Sequence, residues 1–447
     1  MPNSAAAETS IARLFSTEFT QLLRMEMEVA LARVQARRGI IPNAAAEEIA
    51  RTANLDAVPP AMVAERQRTV THPMVALLDS WAAVARDGAG EWIHYGATSA
   101  DIFDTVLVIQ MRRASQLVLV ELRRAEAALM RLAADHRATP MIGRTVGRHA
   151  LPITFGLKAA SWLGENRRNI ERLKAWRART GTGMLSGAVG SYASLGPDAL
   201  AVEAEVMAEL GLAPPWPADW KGNRDIHAEY GQVLALIARS WANVADDVFV
   251  RQGDDFRELA EPAMGVGSST MPHKQNPVKS RAMLAQAGVV VHEADILRDW
   301  MVSHFERDQI SSLDAVGSVS VAADRLVRDA ADMAEGLIVL PENMRRNLGR
   351  TGGLVMAERA MFLLGERIGK HTAHEEVRLA AQAAWRNGTS LVDEINRRPG
   401  LAEHAAALNL ADALDPVRYI GLAPESADRT VAMIRAARET DGEALTS

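Results

Sequence analysis

Proline is missing from three long stretches of this 447-residue chain: between Pro73 and Pro140, between Pro217 and Pro262, and between Pro277 and Pro341. Proline breaks helix interiors, so these gaps permit very long helices. Alanine, leucine, arginine and glutamate, all strong helix formers, fill them. Aromatic residues are only 5% of the chain and no β-branched alternation is sustained, so sheet is a minor component at most. Within the second gap Val233, Leu236, Ile237, Trp241, Val244 and Val248 recur at spacings of three and four, which predicts one apolar stripe on a helix. Arg239, Asn243, Asp246 and Asp247 stand opposite. Helices this long need partners along their length, and a bundle, in part intermolecular, satisfies that need.

Composition excludes several classes. Cysteine is absent, which removes disulfides, thiolate metal sites and thiol nucleophiles. A net charge of -6 offers no basic excess for a nucleic-acid partner. Apolar runs are too short to span a membrane, and Met1 to Ser10 lacks the apolar core of a secretory signal, so the cytoplasm is the expected setting. Soft boundaries near residues 105 and 345 divide the chain into a helical segment 1–105, a long-helix segment 106–345 and a segment 346–447 of shorter helices. The first boundary follows the Gly96–Thr105 loop. The second follows Leu340-Pro341-Glu342-Asn343, which stops one helix and caps the next.

Three segments concentrate polar chemistry. Gly267-Ser268-Ser269-Thr270-Met271-Pro272-His273-Lys274-Gln275-Asn276-Pro277 has two prolines that forbid continuous helix and a glycine that favours mobility. A solvated surface loop has the same composition, so composition alone leaves both readings open. Trp92-Ile93-His94-Tyr95-Gly96-Ala97-Thr98-Ser99-Ala100-Asp101-Ile102-Phe103-Asp104-Thr105 reads as a helix N-terminus, whose free N–H groups and dipole favour an anion. A simple cap is the competing reading. The third is Gly143-Arg144-Thr145-Val146-Gly147-Arg148-His149.

The first segment resembles the signature loop of the fumarase/aspartase superfamily, GSSxMPxKxNP, at every fixed position. The second resembles that superfamily's HxGxTSxDxxDT stretch. Members remove a proton next to a carboxylate and expel a group from the neighbouring carbon, commonly releasing fumarate. The resemblance implies Ser269 as general base, Lys274 and Asn276 as ligands of substrate and of the carbanion-like intermediate, and Thr98 and Ser99 as carboxylate ligands. Asp101 and Asp104 read as structural. A serine hydroxyl is a poor base until nearby positive charge stabilises its alkoxide.

Many relatives read RTHxQ in the third segment, with a histidine that supports protonation of the leaving group. Here Val146 stands at that position and Arg148 replaces the glutamine. The muconate cycloisomerases also lack that histidine and place one three residues later, as at His149, which the resemblance makes a candidate catalytic residue in contact with substrate. Arg144, Thr145 and Arg148 are substrate contacts by the same resemblance. His72 matches the histidine of the HDV stretch of adenylosuccinate lyases, which makes it a candidate catalytic acid or substrate ligand; a helix-start histidine before a proline is the competing reading. Ser186-Gly187-Ala188-Val189-Gly190-Ser191-Tyr192, the Asn223-Arg224-Asp225 stretch and Glu306-Arg307-Asp308 resemble the same enzymes, which adds Asn223 and Arg307 as substrate ligands. The arginine-tyrosine-serine phosphate stretch of those lyases is missing near Leu14–Phe19, which argues against a purine nucleotide.

Valine cannot transfer a proton, so a leaving group that departs as a weak base is implied. A C–N lyase of the nitrosuccinate type is favoured, with 3-carboxy-cis,cis-muconate cycloisomerase and adenylosuccinate lyase as alternatives. A crystallin-like structural descendant is the non-enzyme alternative, opposed by the intact Ser269, Lys274 and Asn276. The resemblance further implies an all-α, three-domain fold, a tetrameric twenty-helix core, sites shared between chains, a small dicarboxylate substrate, and no metal or organic cofactor.

Overall fold

A computed structural model describes residues 10–262, 267–268, 270–307 and 313–441. The fold is all-α, as the proline spacing predicts. Five helices precede the long ones: α1 (Ile11–Leu14), α2 (Thr17–Arg37), α3 (Asn43–Thr52), α4 (Pro60–Val70) and α5 (Pro73–Ala82). Helix α6 (Ser99–Asp135) begins inside the stretch read from sequence as the Gly96–Thr105 loop, with Asp101 in its first turn accepting from the Thr98 N–H. Strands β1 (Pro140–Thr145) and β2 (Arg148–Thr154) then form an antiparallel hairpin. Next come α7 (Phe155–Thr180), α8 (Ala199–Glu209) and α9 (Asp225–Gln252). Strand β3 (Leu259–Ala260), α10 (Val278–Asp299), α11 (Leu313–Gly336) and β4 (Ile338–Val339) follow, and α12 (Pro341–Leu348) leads into a series of shorter helices.

The chain separates into two compact units. The first contains the described parts of Met1–Glu121, Asn169–Arg239 and Ala285–Arg328; the second contains those of Leu122–Arg168, Ser240–Leu284 and Asp329–Ser447. In the first unit Trp176 packs on Tyr230 with ring centroids 4.8 Å apart, and its indole N–H donates to the Ile226 carbonyl. The Tyr230 hydroxyl meets Ser320 Oγ at 2.8 Å, so this buried aromatic keeps a hydrogen-bond partner. In the second unit Ile142 of β1 packs with Leu348, Met356, Leu364, Leu391 and Leu401 in one apolar core. That core fixes one face of the hairpin.

The predicted stripe on α9 is buried at Val233, Ile237, Trp241, Val244 and Val248. Leu236 differs: it is 52% exposed and shares the outer line with Arg239, Asn243, Asp246 and Val250. The helix is covered on most of its circumference, and this line, with Phe249 beside it at 37% exposure, is its most exposed part. Among the described residues, no helix is long and apolar enough to cross a membrane, and no cluster of carboxylates and histidines could hold a metal.

Candidate active site

The start of α6 is locked from several directions within the first unit. His94 Nδ1 meets Glu28 Oε1 at 2.6 Å, and Gln35 donates to the Tyr95 carbonyl at 2.8 Å. Burial works against a charged His94, yet the Glu28 carboxylate holds its pKa above the ordinary histidine value. Asp101, fully buried, accepts from the backbone N–H of Thr98 (3.0 Å), Ser186 (3.1 Å) and Gly187 (3.2 Å). The bond from Asp101 back to Thr98 has the logic of a capping box. Lys221, equally buried, places its ammonium 2.9 Å from Asp101 and 3.1 Å from Asp219, and also bonds Ser186 Oγ. Asp101 is therefore structural, as expected from sequence. Lys221, which sequence reasoning missed, holds the α6 terminus to the 186–187 turn. The hydroxyls of Thr98 and Ser99 bond no described group and remain available to a ligand.

Asn223 and Arg307 lie beside this lock. A Cβ at Gly222 would stand 2.9 Å from the Glu306 carbonyl, so glycine permits the 222–223 and 306–307 backbones to pass closely. Asp104 is buried, and burial pushes its pKa up to about 6 against the opposing charges of Arg224, Lys221 and Arg307. His72 caps α5: its Nδ1 accepts from the backbone N–H of Met74 (3.2 Å) and Val75 (3.4 Å). With Nδ1 an acceptor, the proton of the neutral ring sits on Nε2, a donor. The ring stacks on Phe103, one turn into α6, at 6.2 Å between centroids. Thr98, Ser99, Asn223, Arg307 and His72 all belong to the first unit, with His72 linked to α6 through Phe103.

The second unit holds the other candidates. Val146 sits at the hairpin apex, fully exposed, with φ +50° and Gly147 following at φ +73°. Successive left-handed residues suit the mirror-image turns of tight hairpins, but a β-branched side chain there is strained. Arg144, expected from sequence as a substrate contact, gives its guanidinium to Glu258 in two hydrogen bonds of 2.9 and 2.7 Å. It also lies over the Phe256 ring at 4.9 Å. Arg251 and Asn347 complete the shell around Glu258 at 2.7 and 2.9 Å. Burial would raise the Glu258 pKa, but Arg144, Asn347 and Arg251 outweigh it and hold the carboxylate ionised. Glu258 lies 114 residues from Arg144, and no spacing in the sequence points to it.

His149 pairs with Arg144 across the hairpin, and its buried Nδ1 has no partner among the described residues. Burial, then the charges of Arg144, Arg350 and Arg148, lower its pKa against Glu258, so the ring is neutral at physiological pH. Thr145 is exposed, and Arg148 reaches over Trp385 at 5.6 Å. Lys274 and Asn276 line a cavity of about 640 Å³ together with Gln252, Glu261 and Leu340. The Asn276 carboxamide donates to the Gly267 carbonyl. A Cβ at Gly267 would stand 2.6 Å from the Lys274 carbonyl, so a glycine lets the loop close on itself. The Lys274 ammonium is exposed and bonds no described carboxylate. Glu261 accepts from the first N–H groups of α10 (Lys279 at 3.1 Å, Ser280 at 2.9 Å), fixing the end of this loop. Ser269 lies outside the described residues.

Residues 6–292 match a family model described as lyase, and residues 353–430 one described as adenylosuccinate lyase C-terminus. The chain is 34% identical to N-acetyl-S-(2-succino)cysteine lyase of Enterococcus italicus, over 92% of this chain and 90% of that one. It is 36% identical to nitrosuccinate lyase of Streptomyces davaonensis, over 91% of this chain and 89% of that one. It is also similar to the solved structure of the 3-carboxy-cis,cis-muconate lactonizing enzyme from Pseudomonas putida, with a TM-score of 0.88, 30% identity, and coverage of 95% of this chain and 97% of that one.

Proposed function

Because the chain belongs to the fumarase/aspartase superfamily of lyases, we propose that it catalyses β-elimination from a substituted succinate, releasing fumarate and a weakly basic leaving group, with nitrosuccinate the first candidate. One observation carries the choice of leaving group. The hairpin apex presents Val146, which holds no transferable proton, and its neighbour His149 is neutral at physiological pH. An amine departing there would leave as a strong base. Nitrite needs no proton.

In this reading Ser269 takes the proton from the carbon next to one carboxylate. The electron pair left behind forms the double bond, and the C–N bond breaks with its pair leaving on nitrite. Lys274 and Asn276 hold the carboxylate on which charge builds, and the Lys274 ammonium also stabilises the Ser269 alkoxide. Thr98 and Ser99 hold the second carboxylate at the positive end of α6. His72 Nε2–H, His149, Asn223, Arg307, Thr145 and Arg148 contact and orient the substrate. Arg144 acts through Glu258 to set the hairpin. The three sequence segments serve as an N-terminal domain, a helical core and a C-terminal domain. Four copies share their sites, as the exposed line of Leu236 and Val250 on α9 favours.

A second reading draws on the relative that acts on a succinylated thiol: a thiolate is a weaker base than an amine and also departs more readily unassisted. The test compares kcat/KM for nitrosuccinate, N-acetyl-S-(2-succino)cysteine, a carboxymuconate lactone, aspartate and adenylosuccinate. Nitrosuccinate is expected to exceed aspartate and adenylosuccinate by at least ~10²-fold, the usual worth of assisted protonation. Efficient cleavage of adenylosuccinate would overturn the assignment and point to His72 as an acid.

A further inference from the structure

The first unit contains a cavity of about 630 Å³ that no step above uses. Phe103, Val106, Leu107 and Gln110 of α6 line one side, with Phe15, Val289 and Val321 adding apolar wall. Arg24 of α2 enters it. Its guanidinium lies 4.4 Å from the centroid of Phe103, whose ring also carries His72. No described residue gives Arg24 a hydrogen bond or an ion pair, and its Nε is buried without a partner. Burial brings its pKa down to about 10, so it remains charged. A desolvated, uncompensated guanidinium is costly, and such groups are ordinarily matched by an anion. Stacking on Phe103 fixes the plane of the fork, which suits two-point recognition of a carboxylate.

The rest of the lining narrows the class. A second cation, Arg325, and two carboxylates, Glu293 and Asp314, complete the charged groups in the wall. Two acids disfavour a dianion such as phosphate, whereas one negative charge beside apolar wall is compatible with all four. We infer that this cavity is a binding site for an organic monocarboxylate, its carboxylate on Arg24 and its apolar body against Phe103, Val106 and Leu107. The site touches the proposed succinate machinery through the Phe103 ring that it shares with His72, and it does not rest on the proposed leaving group.

The test is calorimetric titration of the full-length protein with acetate through octanoate and with benzoate, in saturating fumarate so that any dicarboxylate site is occupied. Affinity is expected to rise with the size of the apolar body. Inorganic phosphate and the neutral benzamide are expected not to bind. Arg24→Gln is expected to weaken the best ligand at least tenfold. Val321→Trp, which fills the cavity and leaves the charge in place, is expected to do the same; thermal melts confirm that both variants fold. The inference is overturned if no monocarboxylate saturates the wild type, or if a folded Arg24→Gln protein binds as tightly. It is equally overturned if Arg24→Gln changes the assembly mass, because the cavity would then be filled by a second copy of the chain.

Discussion

Lys221 and Asp101 form an ion pair with both side chains fully out of water. Removing one member of such a pair leaves the other charged and uncompensated, at a cost of ~3–5 kcal/mol. We therefore expect Lys221→Met to lower the urea midpoint sharply, and restoring a cation with Lys221→Arg to recover part of the loss. An unchanged midpoint would mean that Asp101 is already satisfied by its three backbone donors. His227 gives a pH-dependent counterpart. Its pKa is pushed down to about 3 by burial and by Arg224, and neither ring nitrogen has a partner among the described residues. The unfolded chain binds this proton below about pH 6.5, whereas the folded chain refuses it until about pH 3. Stability is thus fully present above about 6.5 and declines as pH falls, by up to ~1.4 kcal/mol per unit from this group. His227→Leu should flatten that decline in denaturant titrations; a parallel curve would assign it elsewhere. Ser269→Ala is expected to remove turnover, by ~10²-fold or more, and to leave the circular dichroism melt unchanged. Retained activity would free Ser269 from the role of base.

At the scale of elements, the hairpin β1–β2 carries the most local tension. Val146 occupies a left-handed conformation that costs of order 1 kcal/mol or more for a β-branched residue. Val146→Asn, better suited to that conformation, is expected to raise the melting temperature by a few degrees, and no gain would show that the turn relaxes around valine. Much of the element level is legible in the sequence. Proline spacing and helix formers locate α6, α9, α10 and α11, although α6 begins inside the stretch read as a loop. Leu236 misleads because periodicity reports which residues are apolar, not whether a given line of the helix is covered. The Arg144–Glu258 pair is not legible, because its two members are remote in sequence. Lys221 and Arg24 carry no local signal, since a lysine or arginine in a helix-rich chain usually reads as a solvated surface charge.

At the scale of the whole molecule, the candidates fall into two sets. Thr98, Ser99, Asn223, Arg307 and His72 belong to one compact unit, while Arg148, His149, Lys274 and Asn276 belong to the other. If sites are assembled from several copies, mixing inactive Ser269→Ala with inactive His149→Ala should restore part of the activity. Light scattering should then report four copies. A monomer, or no recovery after verified exchange, would confine the chemistry to single chains.

The anchor between Arg144 and Glu258 also bears on how the protein is made. The two residues are separated by 114 positions. A ribosome adding about 5–20 residues per second needs roughly 6–23 s to bring the second into existence after the first. Throughout that interval the hairpin has emerged without its clamp, and Asn347, the next member of the shell, is still further behind. The region that carries Val146 and His149 therefore acquires its final geometry late in synthesis, and a nascent chain stalled before Glu258 should present the hairpin as its most protease-sensitive segment.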